Sequence, residues 1–289
     1  MLDRIVSRYL AVADRLLPGR VTGFYLVGSA ALGAWRVDRS DVDFVVVVDG
    51  QVDVRRLRLL HGWGNVSTAA RSLAHGRFDI PGTMNGVFVA SEDMRRPVTE
   101  IRPLASHSGR SFKVGSGFDV NPVMWKVLLE KGMTVRGPAP DKLGLDPEPT
   151  RLREWNLDQL HNHWRVFAEK CMSDSPPRKP FVPPTKVAAA RLFGPPRLHH
   201  TIATGNILTK EEAIEYAMDT FGPRWHPLLK LALTERTTRT GLAGRAGRTG
   251  LSRWTGLGAW TAWGSRELTE VPRLVGEFML AVIADADRL

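Results

Sequence analysis

The chain has 289 residues, 43% of them hydrophobic and 24% charged, which is the composition of folded domains and excludes a disordered or fibrous protein. The longest apolar run, Phe44 to Val48, is too short to span a bilayer, and the N-terminus lacks a signal pattern, so no membrane partner is expected. The single cysteine, Cys171, excludes an internal disulfide and a multi-cysteine zinc site and fits a cytoplasmic location, while the net charge of +10 favours anionic partners over cationic ones.

In chain order, Ile5, Tyr9, Leu10, Ala13 and Leu16 predict a first helix stopped by Pro18-Gly19. Residues 21–27 and 42–48 predict two apolar strands, 53–74 a helix, 84–90 a third strand and 121–132 another helix. The first strand delivers Gly28-Ser29, and the second opens with Asp41 and Asp43. Residues two apart on a strand face the same side, so these carboxylates lie side by side. They repel unless a cation sits between them, and Mg²⁺, a hard ion that takes carboxylate and phosphate oxygens, is the natural occupant. Gly28 permits close approach of a triphosphate to the backbone, and the Ser29 hydroxyl with nearby N–H groups can hold its terminal oxygens. Either short pattern alone is weak. Their order, the spacing of twelve residues from Ser29 to Asp41 and the flanking strands together point to metal-assisted nucleotidyl transfer.

A Pro-, Gly- and Asp-rich stretch from Gly137-Pro138 to Pro149 predicts a boundary between domains 1–148 and 149–289. Beyond it the texture is helical. Residues 152–172 predict one amphipathic helix, 173–184 a proline-rich loop, and 185–203 an Ala-rich helix that Pro195-Pro196 bends or delays. Thr209 with Glu212 predicts a capped helix ending at Gly222-Pro223, and a last helix runs over 271–289. Residues 240–264, rich in Gly, Arg and Trp, read as a loop or partly ordered insertion.

Several other groups invite chemistry without carrying it. His161-Asn162-His163 sits mid-helix as an ordinary polar face, and His199-His200 are adjacent, so they do not share a face for a metal. Cys171 has no His–Asn or His–Asp partner pattern and reads as a buried apolar residue. Trp254, Trp260 and Trp263, interleaved with arginines, can be read as a stacking surface for nucleic acid, but docking of a few tryptophans onto the core is the favoured reading.

The Gly28-Ser29 and Asp41/Asp43 arrangement is similar to that of the DNA-polymerase-β-like nucleotidyltransferase superfamily. The stretch from Ala190 to Ala213, with Arg197, Thr204-Gly205 and Lys210, followed by Tyr216-Ala217-Met218, resembles the C-terminal domain of the streptomycin/spectinomycin-type aminoglycoside adenylyltransferases. Met133 to Pro138 is also similar. The resemblance implies an α+β fold: an N-terminal catalytic domain with a mixed sheet and flanking helices, then a C-terminal helical bundle. It implies transfer of AMP from ATP to a hydroxyl of a small molecule, with Mg²⁺ held by Asp41 and Asp43 and the ATP phosphates reached by Arg197 and Lys210. The protein is expected to be a monomer without a nucleic-acid partner. The family's third strand carries a glutamate that takes the proton of the attacking hydroxyl; here the matching residue is Asn85, and an amide is no such base. Asp79 and Glu92 flank that strand as alternatives. The segment Pro183 to Ala188 lacks the acids with which the family grips cationic drugs, so aminoglycoside activity is doubtful. Two alternatives remain: a non-catalytic nucleotide-binding regulatory member lacking the base, and a nucleic-acid-associated protein using residues 239–266.

Overall fold

Six of the seven residues of Val42–Val48 are buried, because this strand lies inside a sheet that is covered on both faces. The computed structural model describes residues 1–37, 40–74, 82–176, 184–238 and 265–289, which divide into two units, Met1–Arg151 and Leu152–Leu289.

The first unit begins with α1 (Leu2–Leu16), which buries Ile5, Val6, Tyr9 and Ala13 along one stripe, as its helical spacing dictates. Strand β1 (Val21–Leu26) leads to a single helical turn, α2 (Gly28–Ala31), then to β2 (Val42–Val48), α3 (Val54–Ala74) and β3 (Met84–Ala90). A hairpin of β4 (Ala105–Ser108) and β5 (Ser111–Val114) follows, then α4 (Pro122–Lys131) and β6 (Met133–Arg136). Among the described residues the sheet order is β5-β4-β3-β2-β1-β6. Of these six strands only β2 and β3 pair in parallel, joined by the α3 crossover that a parallel pair requires; their other pairings are antiparallel. On one face, Phe24 stacks on Phe44 with ring centroids 5.4 Å apart, and Phe88 meets Phe44 edge-on at 5.8 Å. Tyr9, Leu57 and Leu60 from α1 and α3 join this cluster. Such rings bury the largest apolar area per residue and fix which strand face turns inward.

In the second unit, α5 (Leu152–Gln159), a π-helical turn (Leu160–Trp164) and α6 (Arg165–Met172) form the expected long helix, interrupted by a wider turn. Helix α7 (Pro184–Ala189) and α8 (Gly194–Thr204) replace the single helix expected over 185–203. Pro195 and Pro196 occupy the first turn of α8, where a missing N–H costs nothing, so the prolines start a new helix instead of kinking an old one. A side chain on Gly194 would come within 2.0 Å of Trp164, so this glycine admits the indole of the π-turn. Helix α9 (Lys210–Phe221) begins with a complete capping box between Thr209 and Glu212. Then come α10 (His226–Thr238) and α11 (Ser265–Ala286), which starts earlier than expected. Ala168, Cys171, Ile214, Leu229, Val275, Phe278 and Val282 share one core, in which burial pushes the Cys171 thiol up to about 11. No helix among the described residues is long and apolar enough to cross a membrane. Residues 239–264, with Trp254, Trp260 and Trp263, lie outside the described residues.

Candidate active site

Strand β1 ends at a sharp corner. Val27 is extended, its N–H donates to the carbonyl of Asp43 at 3.0 Å, and Gly28 turns with φ +57 into α2. The corner therefore sits directly against the start of β2. A Cβ on Gly28 would lie 2.2 Å from Oδ2 of Asp43, so the absent side chain is the space that the Asp43 carboxylate fills.

Asp41 precedes β2 by one residue and Asp43 is its second residue. Both are half-buried. The Trp35 indole N–H donates to the Asp41 carbonyl at 3.1 Å, and Ser40 closes onto Arg36 through two hydrogen bonds of 2.9 and 3.0 Å. The Val42 N–H donates to the Thr83 carbonyl at 2.8 Å and the Gly82 N–H to the Ser40 carbonyl at 2.9 Å, which ties the entries of β2 and β3 together. Asp43 and Asn85 are direct partners in the parallel register and share one sheet face. The Asn85 amide nitrogen donates to Oδ2 of Asp41 at 3.0 Å, and its carbonyl oxygen accepts from the Gly109 N–H at 2.8 Å. Ser29 is half-buried in α2, one residue beyond Gly28. Gly28, Ser29, Asp41, Asp43 and Asn85 thus come from the linked ends of β1, β2 and β3.

Of the alternative acids, Glu92 lies in a short 3₁₀ turn, Ser91–Asp93, beyond the far end of β3. Seven strand residues at about 3.3 Å each carry it roughly 20 Å from the position of Asn85. Asp79 lies outside the described residues. One contributor escaped the sequence reading. Gly109, φ +55, is the first residue of the two-residue β4–β5 turn; the Ser108-Gly109 pair was a turn signal, but the short polar strands around it gave no alternation to accompany it.

In the second unit the Arg197 Nε donates to the Leu208 carbonyl at 2.9 Å, and Lys210 is the first residue of α9. Arg197 is half-buried. His199 is buried between Tyr216, whose hydroxyl is 2.7 Å from Nδ1, and Asp285, 2.9 Å from Nε2. Burial lowers its imidazole despite the Asp285 carboxylate, so it joins α8, α9 and α11 as a packing element. His161 pairs with Asp287 at 2.7 Å and Asn162 donates to Asp158, as an ordinary polar face does. Among the described residues no group of three or more His, Cys, Asp or Glu is arranged around a metal position.

Residues 6–68, which span Gly28, Ser29, Asp41 and Asp43, match the family model of the nucleotidyltransferase domain. The chain's whole fold is similar to that of spectinomycin adenyltransferase AAD(9) from Enterococcus faecialis, crystallised with ATP and spectinomycin. That superposition has a TM-score of 0.59 at 12% identity and covers 96% of this chain and 98% of the other, so the likeness is one of fold and extends through both units. No curated protein matches the sequence. The α+β architecture, a mixed six-stranded sheet with helices followed by a helical part, is the one the resemblance implied.

Proposed function

We propose that the protein transfers the AMP group of ATP to a hydroxyl of a small molecule. The observation that carries this reading is the convergence of Asp41, Asp43 and Gly28 inside the segment that matches the nucleotidyltransferase domain. Asp41 and Asp43 fit a divalent cation: they are hard oxygen donors on one side of a strand entry, half-exposed, with a carboxylate cradled where Gly28 has no Cβ. Bound to them, Mg²⁺ would neutralise triphosphate charge and orient the pyrophosphate leaving group.

The chain's own groups supply the rest. Gly28 and Ser29 hold the triphosphate, with the Ser29 hydroxyl and the N–H groups at the corner as donors. Lys210 and Arg197 are assigned to the phosphates in the second unit. Lys210 is the first residue of α9, where it is exposed beside Glu211 and Glu212. Asn85 cannot take the acceptor's proton, and Glu92 is too distant to do so. An acceptor with an acidic hydroxyl, neutral or anionic overall, suits this site better than a polycationic drug, in keeping with the chain's net charge of +10.

The test is to incubate the protein with Mg²⁺ and ATP labelled at the α-phosphate, together with a panel of neutral, anionic and cationic hydroxyl compounds. Label appearing on an acceptor with release of pyrophosphate supports the reading. Asn85 itself favours a second reading, a nucleotide-binding regulatory member: tight Mg·ATP binding with no transfer to any acceptor identifies it. The nucleic-acid reading rests on residues 239–266, of which 239–264 lie outside the described residues.

A further inference from the structure

Asn85 stands where the resemblance leads one to expect a carboxylate, yet it is not a passive replacement. Its carbonyl oxygen faces the N–H of Gly109 at 2.8 Å. A backbone N–H only donates, so this contact fixes which end of the amide is which, and the NH₂ end necessarily points to Oδ2 of Asp41, 3.0 Å away. The amide is thus a rigid bridge from the β4–β5 turn to a carboxylate on the entry to β2. Gly109 holds its end of the bridge through a turn residue at φ +55, a conformation glycine adopts without strain. An Asp or Glu at position 85 lacks the donor and adds a third negative charge beside Asp41 and Asp43, its own register partner.

We infer that Asn85 is a positioning residue that orients the Asp41 carboxylate and limits the centre to two negative charges. This rests on the assignment of Asp41 and Asp43 as metal ligands made above. Partners that orient a ligating carboxylate typically change metal affinity 10- to 100-fold when removed. Asn85 therefore contributes to metal affinity through Asp41.

The probe is Mn²⁺ alone, titrated by its electron paramagnetic resonance signal into wild type, Asn85→Ala, Asn85→Asp and Asp41→Asn, with thermal melts run with and without Mn²⁺. Asn85→Ala should bind Mn²⁺ about tenfold more weakly or worse. Asn85→Asp should melt below wild type without metal, from crowding of three carboxylates, and show a larger Mn²⁺-induced rise than wild type. These opposite changes distinguish orientation and charge at the metal from general loss of packing, and the Asp variant keeps the test intact if the Ala variant folds poorly. Asn85→Ala binding Mn²⁺ as wild type does, or Asn85→Asp with an unchanged Mn²⁺-induced rise, overturns the role of Asn85 while Asp41→Asn still loses the metal. If Asp41→Asn retains full Mn²⁺ affinity, the metal assignment itself is overturned, and the role of Asn85 with it.

Discussion

The carboxylate of Asp43 fills the space that a side chain on Gly28 would occupy, since a Cβ there would lie 2.2 Å from Oδ2. Gly28→Ala therefore has two effects at once. It places a β-carbon on a left-handed residue, φ +57, at a cost of about 1–2 kcal/mol, and it pushes Asp43 off the strand entry. Urea unfolding should report the loss of stability, and the Mg·ATP-induced rise in melting temperature should vanish. A variant that keeps the full ligand-induced rise would show that Asp43 does not need this cradle.

The pH dependence of stability should be dominated in part by His107. Its ring nitrogen Nδ1 lies 3.2 Å from the Tyr9 hydroxyl, and burial, with His61 beside it, holds the imidazole down to about 3 from an ordinary 6.5. Between pH 6.5 and about 3 the unfolded chain binds a proton that the folded chain refuses, so stability falls as pH falls through this window. The loss amounts to a few kcal/mol over the whole window, to order of magnitude. Denaturant midpoints from pH 7.5 to 4.5 should decline, and His107→Gln, which has no ionising group, should flatten that decline. An equal slope in both proteins would place the acid sensitivity elsewhere.

Arg197 and Lys210 should separate in stability while agreeing in ATP affinity. Arg197→Ala removes the hydrogen bond to the Leu208 carbonyl that joins the end of the α8–α9 connection to α8, at a cost of about 1 kcal/mol. Lys210→Ala alters an exposed charge at the start of α9 and should change stability by no more than about 0.5 kcal/mol. Both should weaken ATP binding measured by calorimetry. Unchanged affinity in both would remove them from the nucleotide site.

Much of the positioning framework was legible because apolar patterning alone specifies it. The run Val42–Val48 announces an interior strand, Asp41 and Asp43 fall on its entry by simple alternation, and Thr209 with Glu212 announces the start of α9. The β4–β5 hairpin was not legible: its strands, Ala-Ser-His-Ser and Ser-Phe-Lys-Val, are too short and polar to show a period of two. The π-turn at Leu160–Trp164 was hidden for another reason, since Gly194, thirty residues away in sequence, makes room for Trp164. The same holds for Asn85. Its residue type was read as a missing base, but its contacts to Gly109 and Asp41 depend on a turn that only tertiary structure brings near.

The acceptor should not be an aminoglycoside. The position of Asn85 has no carboxylate, Glu92 lies beyond the far end of β3, and the sequence from Pro183 to Ala188 contains no acid. The missing base slows every acceptor, typically 10²–10⁴-fold, and the discrimination comes from charge: streptomycin and spectinomycin should be modified more slowly than a neutral or anionic acceptor. Pyrophosphate release that depends strongly on either drug would show that another residue acts as the base.

The most direct test of the nucleotidyltransferase centre is the melting temperature of wild type, Asp41→Asn and Asp43→Asn, each with and without Mg·ATP. Wild type should rise in melting temperature by several degrees at saturating Mg·ATP, as mass action requires for a ligand that binds only the folded state. Both variants should fold and should lose the rise. An unchanged ligand-induced rise in both variants would contradict the assignment of Asp41 and Asp43.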